Sequence, residues 1–69
     1  MDAVKKELEG RRKAISKEVE LLFKANMKFT DWDVPEADDN EVAKLLIEII
    51  KEEVAKIEAD IEAGKYENY

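Results

Sequence analysis

The sequence predicts an all-α protein, an antiparallel two-helix hairpin that dimerises into a four-helix bundle. Three observations lead there. Apolar residues recur at helical rather than strand spacing along two long stretches. The only convincing break between those stretches holds the sole proline. A chain of 69 residues without cysteine or histidine has neither disulfides nor the usual zinc ligands to support a thin core. Self-association is the remaining route to stability. All 69 residues are read as one domain.

The first helix is expected over about residues 3–29. Asp2 is placed to cap it, and Leu8, Ile15, Leu22 and Phe29 then recur every seven residues, with Val4, Val19 and Met27 beside them. Gly10 lies inside this stripe and costs about 1 kcal/mol relative to alanine, so the helix is weakest there, and a start as late as Arg11 remains open. Asn26 shares the direction of Leu22 and Phe29. It either fixes register in a bundle or sits at a fraying helix end without need of a partner. Thr30, Asp31, Trp32, Asp33, Val34 and Pro35 hold two turn-favouring aspartates and a proline that cannot continue a helix, giving a loop over about 30–37.

The second helix is expected over about 38–64. Asp38 stands three residues before Glu41, the spacing of a capping box, although Pro35 also suits the first turn of an earlier start. Ala43, Ile47, Ile50, Val54, Ile57, Ile61 and Gly64 alternate spacings of four and three, a heptad seam that turns one narrow face to a partner. Gly64 is expected to end the helix, leaving a frayed tail over 65–69.

One partner helix cannot cover everything apolar. Between Val42 and Ile50 seven of nine residues are apolar, and the end of helix 1 is similarly broad. The surplus gathers at the loop end, where Leu21, Phe23, Met27, Phe29, Trp32, Val42, Leu45, Leu46 and Ile49 form the predicted protein interface. Trp32 is expected as a lid over this broad core end, with an interaction hot spot as the second reading.

Charge divides unevenly. Residues 1–29 hold eight Lys/Arg against five Asp/Glu, a net +3, whereas residues 30–69 hold four against thirteen, a net −9. Opposite fields favour the two halves lying together. Lys6, Lys13, Lys17, Lys24 and Lys28 fall within an arc of roughly 60° at 100° per residue. They read as a solvated outer face, or else as a contact for phosphates or an acidic partner. Arg12 and Glu53, at the edges of the apolar stripes, are predicted to form a structural ion pair shielded by aliphatic stems.

Several function classes find no support. Ser16 has no candidate base, no glycine-rich loop exists to hold phosphates, and Glu48 with Glu52 is an ordinary surface pair, so no enzyme, cofactor or small-molecule substrate is expected. The carboxylates of Asp31, Asp33, Glu36, Asp38, Asp39 and Glu41 do not make a calcium loop. Counted from Asp31, the fifth position is Pro35, the sixth is not glycine and the twelfth is Val42. No apolar run approaches the roughly 18 residues of a membrane span, and residues 1–10 lack the core of a signal peptide, so a soluble and by default cytoplasmic protein is expected. The functional expectation is a non-catalytic homodimer that binds another protein as an adaptor, regulator or inhibitor. An RNA- or DNA-binding regulator using the lysine stripe is the alternative. A purely structural or engineered bundle is the third, suggested by the regular heptads and opposed by Trp32 and the irregular linker.

Overall fold

The computed structural model describes residues 2–69 and is helical throughout its ordered elements, with three helices rather than two. α1 spans Asp2–Gly10, α2 spans Arg12–Asp33 and α3 spans Asp39–Glu62. The predicted first helix is divided at Arg11, beside the glycine that marked its weak point. Arg11 closes a tight turn, its N–H donating to the Leu8 carbonyl at 3.1 Å, and its own carbonyl accepts from Ile15 at 3.0 Å. The break is thus one residue long. Residues 2–33 at 1.5 Å per residue come to about 48 Å, close to the longest dimension of the molecule, 49 Å. Asp2 lies in the first turn of α1 and not before it.

α2 runs four residues past its expected end, taking up Thr30, Asp31, Trp32 and Asp33. Local bonds hold this extra turn. The Thr30 hydroxyl donates to the Asn26 carbonyl at 3.0 Å, and the Val34 N–H donates to the Thr30 carbonyl at 2.7 Å. Pro35 then ends the helix through its effect on Val34, which is pushed to φ −133°, ψ 75°. The linker therefore shortens to residues 34–38. Its turn is closed by the Ala37 N–H on the Val34 carbonyl at 3.0 Å, with proline in its preferred second position.

Asp38 stands at the N-cap of α3 with extended backbone (φ −75°, ψ 117°), and its carbonyl accepts from Val42 at 3.0 Å. Asp38 takes the N-cap position that the spacing to Glu41 suggested, but the capping box itself does not form, because the Asp38 side chain makes no capping bond. At the other end Gly64 adopts φ +81°. The Lys65 N–H reaches the Asp60 carbonyl and the Gly64 N–H the Ile61 carbonyl, both at 3.0 Å, the paired bonds of a Schellman termination. Lys65 Nζ adds an ion pair to Asp60 at 3.0 Å. The expected frayed tail instead continues in turns, with the Tyr66 and Tyr69 rings 5.5 Å apart.

α2 and α3 meet around the linker. Phe23, Met27 and Thr30 on α2 and Val42, Ala43, Leu46 and Ile50 on α3 are partly buried; earlier in α2 and later in α3 every apolar side chain is exposed. No described residue is fully buried. The helices diverge from the linker, and the molecule is 27 Å across its second dimension, against about 20 Å for two helices packed side by side. Its radius of gyration, 16.0 Å, exceeds the roughly 11 Å of a compact domain of this length.

Candidate interaction surfaces

Two apolar surfaces result, one on the diverging arms and one at the linker. On the arms, Leu8, Ile15, Val19 and Leu22 of α1 and α2 and Val54, Ile57 and Ile61 of α3 are 43–58% exposed. These are the predicted stripe and seam, intact in the sequence and uncovered in the single chain. Along the α1–α2 stripe a hollow of about 360 Å³ lies between Leu8, Arg12 and Ile15.

At the linker the predicted interface residues divide into two groups. Phe23, Met27, Val42 and Leu46 turn partly inward at the meeting of α2 and α3. Leu21, Phe29, Trp32, Leu45 and Ile49 remain exposed. A hollow of about 170 Å³ is lined by Thr30, Val42, Leu45, Leu46 and Ile49. The expected lid over this end does not form, since Trp32 is 86% exposed. The reason is local: α2 extends through Asp33, so the indole is carried by a rigid helical turn and has no loop on which to fold back.

The ion pairs among the described residues are local, each between groups three to five residues apart along the chain. Arg12 donates from Nε and Nη2 to the two Glu9 carboxylate oxygens at 2.9 and 2.7 Å, and Lys56 donates to Glu53 at 2.8 Å. The predicted Arg12–Glu53 pair is therefore not made within the chain. The arms diverge before they reach that level, and each partner has a neighbour three residues away. The Arg12 guanidinium holds the Glu9 carboxyl below its usual value. Of the lysine stripe, Lys6 stands on α1 and Lys13, Lys17, Lys24 and Lys28 on α2, on either side of the break. All are exposed, and Lys24 is engaged by Glu20 at 3.3 Å.

Asn26, also partly buried, donates its amide to the Leu22 carbonyl at 2.9 Å and so bonds to its own helix. Sequence reasoning missed one relationship at the linker. The carboxyls of Asp31, at the end of α2, and Asp39, at the start of α3, are brought together, and a side-chain hydrogen bond with Asp39, helped by desolvation and by the Asp39 charge, holds the Asp31 carboxyl above its ordinary range. Their eight-residue separation gave no helical-face signal, because the pairing depends on the linker turn.

Among the described residues no group of three or more His, Cys, Asp and Glu is placed to hold a metal ion, and no helix is long and apolar enough to cross a membrane. No protein-family model matches the chain, and neither a curated protein nor a solved structure is significantly similar to it.

Proposed function

We propose that this chain is a non-catalytic helical hairpin that works through protein–protein association, and that a second copy covers its diverging arms to complete a four-helix bundle. The observation that carries this reading is surface area. The chain exposes 6534 Å², whereas a folded monomer of 8.0 kDa is expected to expose about 4,450 Å². The excess is about 2,100 Å² per chain, and two such surfaces closing on each other fall within the roughly 2,000–5,000 Å² of obligate homodimers. The exposed residues are also of the right kind, a heptad stripe on each arm in place of scattered apolar side chains. An adaptor, regulator or inhibitor role follows from a rigid dimer that presents a further surface at each linker.

Sedimentation equilibrium at micromolar concentration tests the self-association. The expected result is a mass twice that of the 8.0 kDa chain, with a melting temperature that rises with concentration. A monomer with a cooperative melt overturns it.

A further inference from the structure

The face of α2 turned away from α3 carries a row that neither the meeting of the two helices nor the stripe on the arms uses. Ala14, Leu21, Ala25 and Trp32 recur at spacings of seven, four and seven and fall within an arc of about 40° at 100° per residue. They point about 180° from Phe23, Met27 and Thr30, the side chains that α2 turns toward α3. The row is about 27 Å long at 1.5 Å per residue, and Trp32 belongs to it only because α2 continues through Asp33. Leu21 is 53% and Trp32 86% exposed, and Phe29, 65% exposed, borders the row on one side. Lysines border it on the other. Lys17 and Lys28 each stand four residues before a large side chain of the row, Leu21 and Trp32, and Lys24 stands three after Leu21. All three lysines are exposed. Lys24 reaches Glu20 at 3.3 Å, whereas Lys17 and Lys28 make no ion pair among the described residues.

We infer that this face is a second docking surface whose occupant is an acidic amphipathic helix of a partner protein, its apolar stripe laid along the row and its carboxylates set against Lys17, Lys24 and Lys28. Shape and charge together select this occupant. Ala14 and Ala25 alternate with Leu21 and Trp32, so the row offers shallow seats at the spacing at which a helix presents its own apolar side chains. A single lysine flank beside that seam sets the sign and the orientation of what can lie there. An anionic lipid surface fits poorly, because Glu18 and Lys28 lie within about 40° of the middle of the row and would be carried into the hydrocarbon. A nucleic acid meets the lysines but presents nothing to the alanine seats. The α3 of a second copy is acidic and amphipathic too, and here the inference rests on the proposed dimer, which takes that helix up on the arms.

Trp32, the only tryptophan, lies in the row and reports on it directly. The full chain is titrated with a synthetic helix carrying leucines at i, i+3, i+4 and i+7, glutamates along one flank and glutamines elsewhere, and with its lysine-flanked counterpart. A single-stranded oligonucleotide and vesicles of mixed phosphatidylserine and phosphatidylcholine are titrated alongside. The expected result is a saturable blue shift of Trp32 emission with the glutamate-flanked helix, weakening about tenfold or more between about 0.1 M and 1 M salt, as the Debye length falls from about 10 to about 3 Å. Lys17→Glu combined with Lys28→Glu removes the charge match, and Ala25→Glu fills a seat; each is expected to weaken docking about tenfold. All three positions are exposed on α2 and glutamate is a good helix former, so the fold is kept. An equal response to the lysine-flanked helix, the oligonucleotide or the vesicles overturns the inference, as does no response to the glutamate-flanked helix or undiminished binding by both variants at unchanged helix content. A shift of Trp32 emission with chain concentration alone also overturns it, and assigns the face to a second copy. Failure of the dimer is read separately, from the sedimentation mass.

Discussion

Arg12 reaches back across the break in the N-terminal arm and grips Glu9 with two hydrogen bonds of 2.9 and 2.7 Å. The pair spans Gly10, the last residue of α1, and Arg11, the one-residue break, so it braces α1 on α2 where the backbone does so least. Because the Glu9 carboxyl is held below its usual 4.5, its contribution is present above that value and is lost as pH falls through the folded-state value. Helicity of α1, followed by residue-resolved chemical shifts, is expected to decline in acid below the ordinary range. In Glu9→Gln this decline is absent from α1. Both partners are largely exposed, so the effect is small and shrinks with salt.

Asp31 gives the opposite sign. Its carboxyl is held above the ordinary 3.8, first by the hydrogen bond it makes with Asp39 when protonated. A raised value in the folded state stabilises below the unfolded value and is lost as pH rises through the folded one. Asp31→Asn keeps a donor for Asp39 and removes the repulsion. Its melting temperature is expected to exceed the parent's at pH 7, with the difference closing below pH about 3.8. A difference unchanged across that range counts against the contact.

The two glycines are expected to respond in opposite directions to the same change. At Gly10 a Cβ meets nothing within 4 Å, so Gly10→Ala stabilises by about 1 kcal/mol and extends protection from amide exchange through Arg11. At Gly64 the backbone is left-handed, φ +81°, and a Cβ approaches the Glu67 carboxyl carbon at 3.3 Å. Gly64→Ala therefore destabilises by about 1–2 kcal/mol. Chemical denaturation of the two variants checks both signs.

The proposed association through the arms depends on side chains that the single chain leaves in water. Ile57→Glu and Leu22→Glu each put a charge on a seam. Each forfeits about 1.5–3 kcal/mol of side-chain burial per copy, so the dissociation constant is expected to rise at least tenfold. Sedimentation at matched concentrations reads this directly. Trp32→Ala, outside the seam, leaves it unchanged.

Helix content, the weak point at Gly10, the termination at Gly64 and a turn at Pro35 were all legible, because each is set within a few residues by periodicity or backbone freedom. What was not legible depends on neighbours. Thr30–Asp33 read as loop on composition, yet the Thr30 hydroxyl and the Val34 N–H extend α2 by another turn. That change moves Trp32 from a mobile segment onto a helix and removes its role as a lid. Arg12 and Glu53 were paired by assuming arms in contact along their length, and the arms are in contact only near the linker. Asp31 and Asp39 were counted among the loop acids, and only the linker turn brings them face to face.

The meeting of α2 and α3 close to the linker also has a kinetic meaning. Thr30 and Val42 are only twelve positions apart along the chain, so bringing them together closes a short loop at low entropic cost, on a timescale of about 100 ns. Residues far out on the arms have no such intramolecular shortcut. For the proposed dimer, this sets an expected order of assembly from the bend outward, a fast unimolecular step at the bend before a slower, concentration-dependent zippering of the arms.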